Sequence, residues 1–84
     1  MKLIFTENAW EDYLYWQTTD IKILNRINKL IKEIKRNPFH GIGKPEPLRH
    51  ALSSYWSRRI NDEHRLVYRI QDGSLFIAQL RYHY

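Results

Sequence analysis

Between residues 20 and 36 the apolar side chains Ile23, Leu24, Ile27, Leu30, Ile31 and Ile34 recur at intervals of three and four. That spacing lines one face of an α-helix and no face of a β-strand, so the segment is read as a helix with one continuous apolar stripe. Such a stripe is stable in water only when another layer covers it, and the rest of the chain has to supply that layer. Thr19 is placed to cap the helix, which runs from Asp20 to about Arg36, and Lys22, Lys29, Lys32 and Lys35 fall mostly off the stripe. Asn37-Pro38 ends it, because proline disfavours the α region at the residue before it.

On either side the pattern changes. Lys2 to Phe5 reads as a short strand, Thr6 as an N-cap with Glu7 in the first turn, and a first helix runs from there to about Gln17. Trp10, Tyr13, Leu14 and Gln17 fall at i, i+3, i+4 and i+7, which makes its inward face mostly aromatic. Residues 37–48 hold all three prolines and two of the three glycines, an ordered connection rather than a low-complexity linker. Beyond them the apolar period drops to two, with strands near Tyr55–Asn61, His64–Gln71 and Leu75–Tyr84 and a turn at Asp72-Gly73. The expected fold is therefore α+β: an N-terminal strand, two helices, then antiparallel strands forming one sheet with the helices packed on one face. At 84 residues the chain makes one domain, residues 1–84, with a single modest core.

The last hairpin sorts most cleanly with a three-residue loop at Gln71-Asp72-Gly73, pairing Ile70 with Ser74. Leu66, Tyr68, Ile70, Phe76, Ala78 and Leu80 then share the core face, and Arg65, Arg69, Gln79, Arg81 and His83 share the other. A two-residue loop at Asp72-Gly73 would pair Gln71 with Ser74 and put Arg65 on the face of Leu80 and Tyr82, since a slip of one residue exchanges faces.

Cysteine is absent, which removes disulfides, thiolate nucleophiles and cysteine-ligated zinc together and fits a reducing compartment. The N-terminal segment turns polar after Leu3-Ile4-Phe5 and no later apolar run approaches about 18 residues, so neither a signal peptide nor a membrane span is expected and the chain reads as cytoplasmic. His40, His50 and His64 show no metal-ligand spacing, and no cofactor is called for. The net charge is +5 and the pI about 9.7, which favours polyanionic partners. Residues 1–40 carry five lysines and two arginines, whereas residues 41–84 carry one lysine and six arginines, Arg49, Arg58, Arg59, Arg65, Arg69 and Arg81. A guanidinium matches phosphate oxygens with a planar fork of donors, so the second half reads as the phosphate-facing half. The chain then ends on Arg81-Tyr82-His83-Tyr84, a guanidinium, an imidazole and two phenols carried to the terminus by the preceding strand.

The order of elements, with Lys44-Pro45-Glu46-Pro47-Leu48, Trp56-Ser57-Arg58-Arg59-Ile60, His64-Arg65-Leu66-Val67-Tyr68 and the terminal Arg81-Tyr82-His83-Tyr84, resembles the YoeB toxins of the RelE-like (RelE/ParE) superfamily over the whole chain. The resemblance implies a bacterial endoribonuclease that cleaves mRNA in the ribosomal A site and is neutralised by a YefM-type antitoxin; a homodimer, and operator DNA bound together with the antitoxin, are further expected partners. Residue by residue, it places a general base on Glu46, a phosphate-stabilising arginine on Arg65 supported by Arg59, and an acid on His83 beside Tyr84, with Lys44, Arg49, Arg59 and Arg81 on the substrate. Position 49, expected to be basic and often lysine in this family, is Arg49 here.

The residue chemistry agrees with that implication. RNA brings its own nucleophile, the 2′-hydroxyl, so metal-independent cleavage needs a base, an acid for the leaving 5′-oxygen and cations around the phosphorane. Prolines on both sides restrict the backbone of Glu46, and Tyr84 offers a ring on which an unpaired base can stack. Each residue also has a structural alternative. Considered alone, Glu46 is more often a solvated loop carboxylate, and His83 also fits a cap on a strand end, while Arg58, Arg59 and Arg69 also fit sheet residues in solvent or partners of Asp62, Glu63 and Asp72. Trp10, Tyr13, Trp16 and Trp56 are better core or interface residues than base platforms. Two other function classes use the same features without catalysis: a binding module for RNA or DNA through the basic face, and a protein-interaction module through the aromatic helix.

Overall fold

Asp20 fixes where the two helices meet. Its carboxylate accepts the amides of Lys22 and Ile23 at 3.1 and 3.4 Å and so caps α2 (Ile21–Arg36). Its own N–H donates to the Trp16 carbonyl at 3.0 Å and closes α1 (Glu7–Thr19). One residue thus serves both helix ends, which displaces the cap expected at Thr19 by one position. Thr6 caps α1 as expected, its hydroxyl accepting from the Ala9 amide at 3.1 Å. The computed structural model describes residues 1–83.

The stripe on α2 is buried as read: Leu24, Ile27, Leu30, Ile31 and Ile34 are in the core, with Ile23 partly covered. The inward face of α1 is not the one expected. Ala9 and Trp16 are buried and Tyr13 is partly so, while Trp10 is 48% exposed and Gln17 is at the surface. The helix is turned so that the Trp16 indole N–H reaches the Leu80 carbonyl at 2.9 Å, the acceptor that a buried indole requires. Trp10 is left stacked on Tyr13, ring centroids 6.0 Å apart, with its outer side in solvent.

The other layer is one five-stranded sheet built from β1 (Lys2–Phe5), β2 (Glu46–Pro47), β3 (Trp56–Arg59), β4 (Arg65–Gln71) and β5 (Ser74–Gln79). The order is β1-β5-β4-β3-β2, with β1 parallel to β5 and the other neighbours antiparallel. Leu66, Tyr68, Leu75, Ile77 and Leu80 meet the α2 stripe in a single core. The short β2, inside the proline-rich segment read as a loop, pairs Glu46 with Ser57 and Pro47 with Trp56; proline is tolerated because β2 is an edge strand. Among the described residues no helix is long and apolar enough to cross a membrane.

The β4–β5 hairpin takes the register that the face pattern disfavoured. Gln71 pairs with Ser74 across a two-residue turn in which Asp72 and Gly73 both have positive φ, 52° and 72°, as a turn matching the strand twist requires. Leu75 and Ile77 therefore face the core, not Phe76 and Ala78. Tyr68 pairs with Ile77 but Val67 with Gln79, so β5 carries one extra residue, Ala78, in a bulge. Thr6 and Asn8 donate side-chain hydrogen bonds to the Ala78 carbonyl at 3.1 and 3.4 Å. A bulge changes the register by one and exchanges the faces, so beyond it Leu66 and Leu80 are again both buried. The expected faces hold along β4, where Leu66 and Tyr68 are buried and Ile70 packs on the core, and beyond the bulge at Leu80; they are exchanged only on β5 between the turn and the bulge.

Candidate functional site

The segment that delivers Glu46 is fixed from beneath by Arg58, which alternation in β3 turns toward the core, between the outward-facing Ser57 and Arg59. Arg58 is fully buried. Its guanidinium donates to the carbonyls of Asn37 at 2.5 Å, His40 at 2.8 Å and Ile42 at 3.0 Å, and Nε donates to the Tyr68 hydroxyl at 3.3 Å. That hydroxyl donates in turn to the Pro38 carbonyl at 2.6 Å. Burial holds the Tyr68 phenol above its ordinary pKa, against the opposing hydrogen bond and charge of Arg58. Arg58 is thus neither a solvated sheet residue nor the partner of a carboxylate; carbonyls replace the water its charge gave up. The crossing also explains Gly43: at φ +84° a Cβ there would lie 2.9 Å from Leu30 Cδ2 and 3.1 Å from Arg58 Cβ.

From Gly43 the chain rises to the outer face of the sheet. Lys44, Glu46, Ser57, Arg59 and Arg65 line a small cleft of about 80 Å³. Glu46 also borders a broader hollow of about 500 Å³ made by Pro47, Leu48, Arg49, His50 and Leu52. Three cations and one carboxylate therefore share a cleft, and a fourth cation stands in the adjoining hollow. Arg65 is oriented by the loop before it, Nη1 donating to the Asn61 carbonyl at 2.6 Å and the His64 carbonyl at 3.1 Å. Arg59 Nη1 lies 3.7 Å from Asp62 Oδ1 in an exposed pair, a contact that restrains the side chain little. Farther along the same face Arg69 lies between the rings of Tyr55 and Phe76, at 5.3 and 5.2 Å, rather than beside Asp72.

The terminus departs from the strand expected to carry it. β5 ends at Gln79, and Tyr82 has a left-handed φ of 63°. Leu80 is clamped first: its N–H donates to Asp12 Oδ2 at 3.0 Å and its carbonyl accepts from Trp16. The Gln79 amide nitrogen donates to the carbonyls of Arg81 at 2.7 Å and His83 at 3.0 Å. Tyr82 N–H donates to His64 Nδ1 at 2.8 Å, and the Tyr82 carbonyl accepts from Arg65 N–H at 3.0 Å. His83 is exposed and follows directly on a residue bonded to the Arg65 backbone. Neither Arg81 nor His83 is among the residues that line the cleft; Arg81 stacks on Tyr15 of α1, its guanidinium carbon 3.5 Å from the ring centroid. Tyr84 lies outside the described residues. Asp12, Trp16, Arg58, His64 and Gln79, none of them selected as site residues from sequence, hold the selected ones in place; only Arg58 had a readable signal, its inward parity in β3.

The YoeB-like toxin of bacterial type II toxin-antitoxin systems is the family model that matches, over residues 5–84. Toxin YoeB of Escherichia coli strain K12 is 63% identical over 84 residues, 100% of either chain. The YoeB/ParE toxin from Agrobacterium tumefaciens superposes with a TM-score of 0.98 at 50% identity, covering 100% of both chains. Staphylococcus aureus YoeB, solved as a dimer and in a heterotetrameric complex with YefM, superposes at TM-scores of 0.93 and 0.92, each at 49% identity and covering 100% of this chain and 98% of that one. Full-length identity and superposition of this extent show that the chain belongs to the YoeB family of bacterial type II toxins.

Proposed function

We propose that the protein is an endoribonuclease that cleaves mRNA in the ribosomal A site, without a metal, and so stops translation. The observation that carries this reading is the cleft in which Glu46 meets Lys44, Arg59 and Arg65. The Glu46 carboxylate takes the proton of the 2′-hydroxyl, and the 2′-oxygen forms a bond to phosphorus as the bond to the 5′-oxygen breaks. Arg65, with Arg59, stabilises the charge on the phosphorane oxygens. His83, with Tyr84 beside it, gives the leaving 5′-oxygen its proton, so the products are a 2′,3′-cyclic phosphate and a 5′-hydroxyl. Lys44 and Arg49 hold the flanking phosphates, and Arg81 contributes through the turn it stacks. A YefM-type antitoxin neutralises the toxin, as the Staphylococcus aureus complex suggests by likeness. A homodimer, operator DNA bound with the antitoxin, and a cytoplasmic location where ribosomes are reached complete the proposal.

The test is purified protein on ribosome-bound message in magnesium buffer, with an unstructured RNA in EDTA as the metal-free control. Cleavage leaving cyclic or 3′-phosphate ends is expected in both, more slowly on free RNA. Glu46→Gln should lower the rate on the order of a hundredfold to ten-thousandfold, the loss typical of a missing general base. Retention of RNA without cleavage would make the chain a binding module, and neither retention nor cleavage would leave the aromatic surface of α1 as the functional one.

A further inference from the structure

His64 is a buried histidine, 6% exposed, that the reaction scheme above does not use. Its ring meets Trp16 edge to face, centroids 4.8 Å apart, and lies 5.8 Å from the ring of Tyr82. A phenylalanine would satisfy both contacts. What a phenylalanine lacks is Nδ1, which accepts the Tyr82 N–H at 2.8 Å. To accept, Nδ1 must be unprotonated, so the ring is the neutral tautomer with its proton on Nε2, the nitrogen that faces Glu63 Oε1 at 3.5 Å.

Tyr82 needs that bond. Its φ of 63° is a left-handed conformation that is unfavourable for an ordinary residue and is kept only where the surroundings fix it. Two consecutive residues grip it from opposite sides: His64 holds its N–H through the side chain, and Arg65 holds its carbonyl through the backbone amide. The loop that carries them is rigid, since Asn61 Oδ1 accepts the amides of Glu63 and His64 at 2.9 and 2.8 Å. The Arg65 guanidinium belongs to the cleft, and His83 follows Tyr82 directly. The path from cation to acid therefore runs Arg65, Tyr82, His83, and the direction in which His83 leaves is set by the left-handed turn.

We infer that His64 is a positioning residue: its Nδ1 locks Tyr82 in the left-handed turn that aims His83 at the scissile phosphate. The inference rests on the reading of His83 as the acid, and the test separates the two. Cleavage of ribosome-bound message is measured in single turnover for the wild type, His64→Phe, His64→Asn, His83→Gln and the double variant that combines His64→Phe with His83→Gln. Asparagine places its Oδ1 where histidine has Nδ1; phenylalanine keeps the packing and loses the acceptor. His64→Phe should lose tenfold to a hundredfold in the maximal rate, the scale expected of a misplaced group. Half-saturating ribosome concentration should be unchanged, and His64→Asn should recover most of the rate. In the His83→Gln background His64→Phe should cost nothing further, because a residue acting through the acid has nothing left to position. Hydrogen exchange of the Tyr82 amide should be slow in the wild type and in His64→Asn and fast in His64→Phe.

Full-rate cleavage by His64→Phe, or equal losses in the Phe and Asn variants that track melting temperature, would overturn the inference. Should the variants fold poorly, the wild type alone decides: an unprotected Tyr82 amide, or nitrogen resonances showing the His64 proton on Nδ1, refutes it. If His83→Gln cleaves at full rate, the reading of the acid fails instead. If His83→Gln is inactive while His64→Phe is unaffected, only the positioning role is lost.

Discussion

Replacing Arg58 by methionine should destabilise the protein by roughly 2–4 kcal/mol, a large effect for a residue on no catalytic path. Arg58 makes four hydrogen bonds, to the carbonyls of Asn37, His40 and Ile42 and to the Tyr68 hydroxyl. Their gross strengths do not add up to stability, because the guanidinium gave up its hydration to make them. Methionine recovers that desolvation and fills part of the space. It cannot satisfy the carbonyls, each of which costs about 1–3 kcal/mol if left buried and unpaired. Asn37 and His40 are at the surface and their carbonyls can be rehydrated, whereas Ile42 is half-buried, so one to two unsatisfied groups set the expected range. For a domain of this size that is a fall in Tm of roughly 10–25 °C, at about 4–8 °C per kcal/mol. Arg58→Lys should fall between, since an ammonium keeps the charge but cannot span four acceptors. Urea unfolding followed by tryptophan fluorescence is the assay, and the slope should be unchanged if only the native state is affected. An Arg58→Met midpoint equivalent to less than about 1 kcal/mol of loss would refute the account, showing that the loop carbonyls find water without cost.

Arg65→Ala should lose single-turnover rate far more than ribosome affinity, because its charge is wanted as the phosphorane forms, and Arg49→Ala should do the opposite from its place in the adjoining hollow; equal binding losses with unchanged rates would contradict that division. Deleting His83-Tyr84, or appending a C-terminal tag, should abolish cleavage while moving Tm by only a few degrees, since the core residues nearest the terminus, Leu75, Ile77 and Leu80, are untouched; a folded truncation that cuts at full rate removes His83 from the mechanism. Because burial raises the Tyr68 pKa, the folded state holds that proton more tightly than the unfolded one. Its contribution is complete below the ordinary phenol value of about 10 and is lost as pH rises past it. Urea midpoints from pH 8 to 11 should therefore fall more steeply for the wild type than for Tyr68→Phe, and parallel curves would show that the phenol carries no linkage.

The fold was most legible where one periodicity ran long enough to leave no alternative. Five of the six stripe residues on α2 are buried and Ile23 is partly covered, because a sixteen-residue helix cannot rotate without exposing half of the stripe. α1 differs in phase from its sequence pattern because its apolar residues do not form one stripe: Trp10 and Trp16 are both good candidates, and a hydrogen bond to Leu80, sixty-four residues away, decides between them. The hairpin failed for a related reason. Alternation constrains faces only while the register holds, and the bulge at Ala78 shifts it by one within a six-residue strand. No property of Ala78 itself signals a bulge; what stabilises it are the hydrogen bonds that Thr6 and Asn8, at the far end of the chain, donate to its carbonyl.

The site divides along the same line. Lys44, Glu46, Arg59 and Arg65 are the residues that the family resemblance implies, with chemistry that suits the roles, and the structure gathers all four at one cleft. Chemistry is carried by residue type, and residue type is visible. What was not visible is the support, because a supporting residue is defined by its partner rather than by its kind. Arg58 and Arg59 are adjacent arginines, yet one is fully buried beneath the loop and the other half-exposed at the cleft, a difference set by strand parity alone. His64 and His83 are both histidines, and only the backbone of Tyr82 separates the one that anchors the turn from the one that leaves it. The exposed groups therefore do the proposed chemistry, and the buried members of the same pairs hold its geometry. That division makes a sharp distinction between variants: losses at Glu46, Arg65 and His83 should appear in rate without stability, losses at Arg58 in stability first, and losses at His64 in rate only as far as His83 is still there to be aimed.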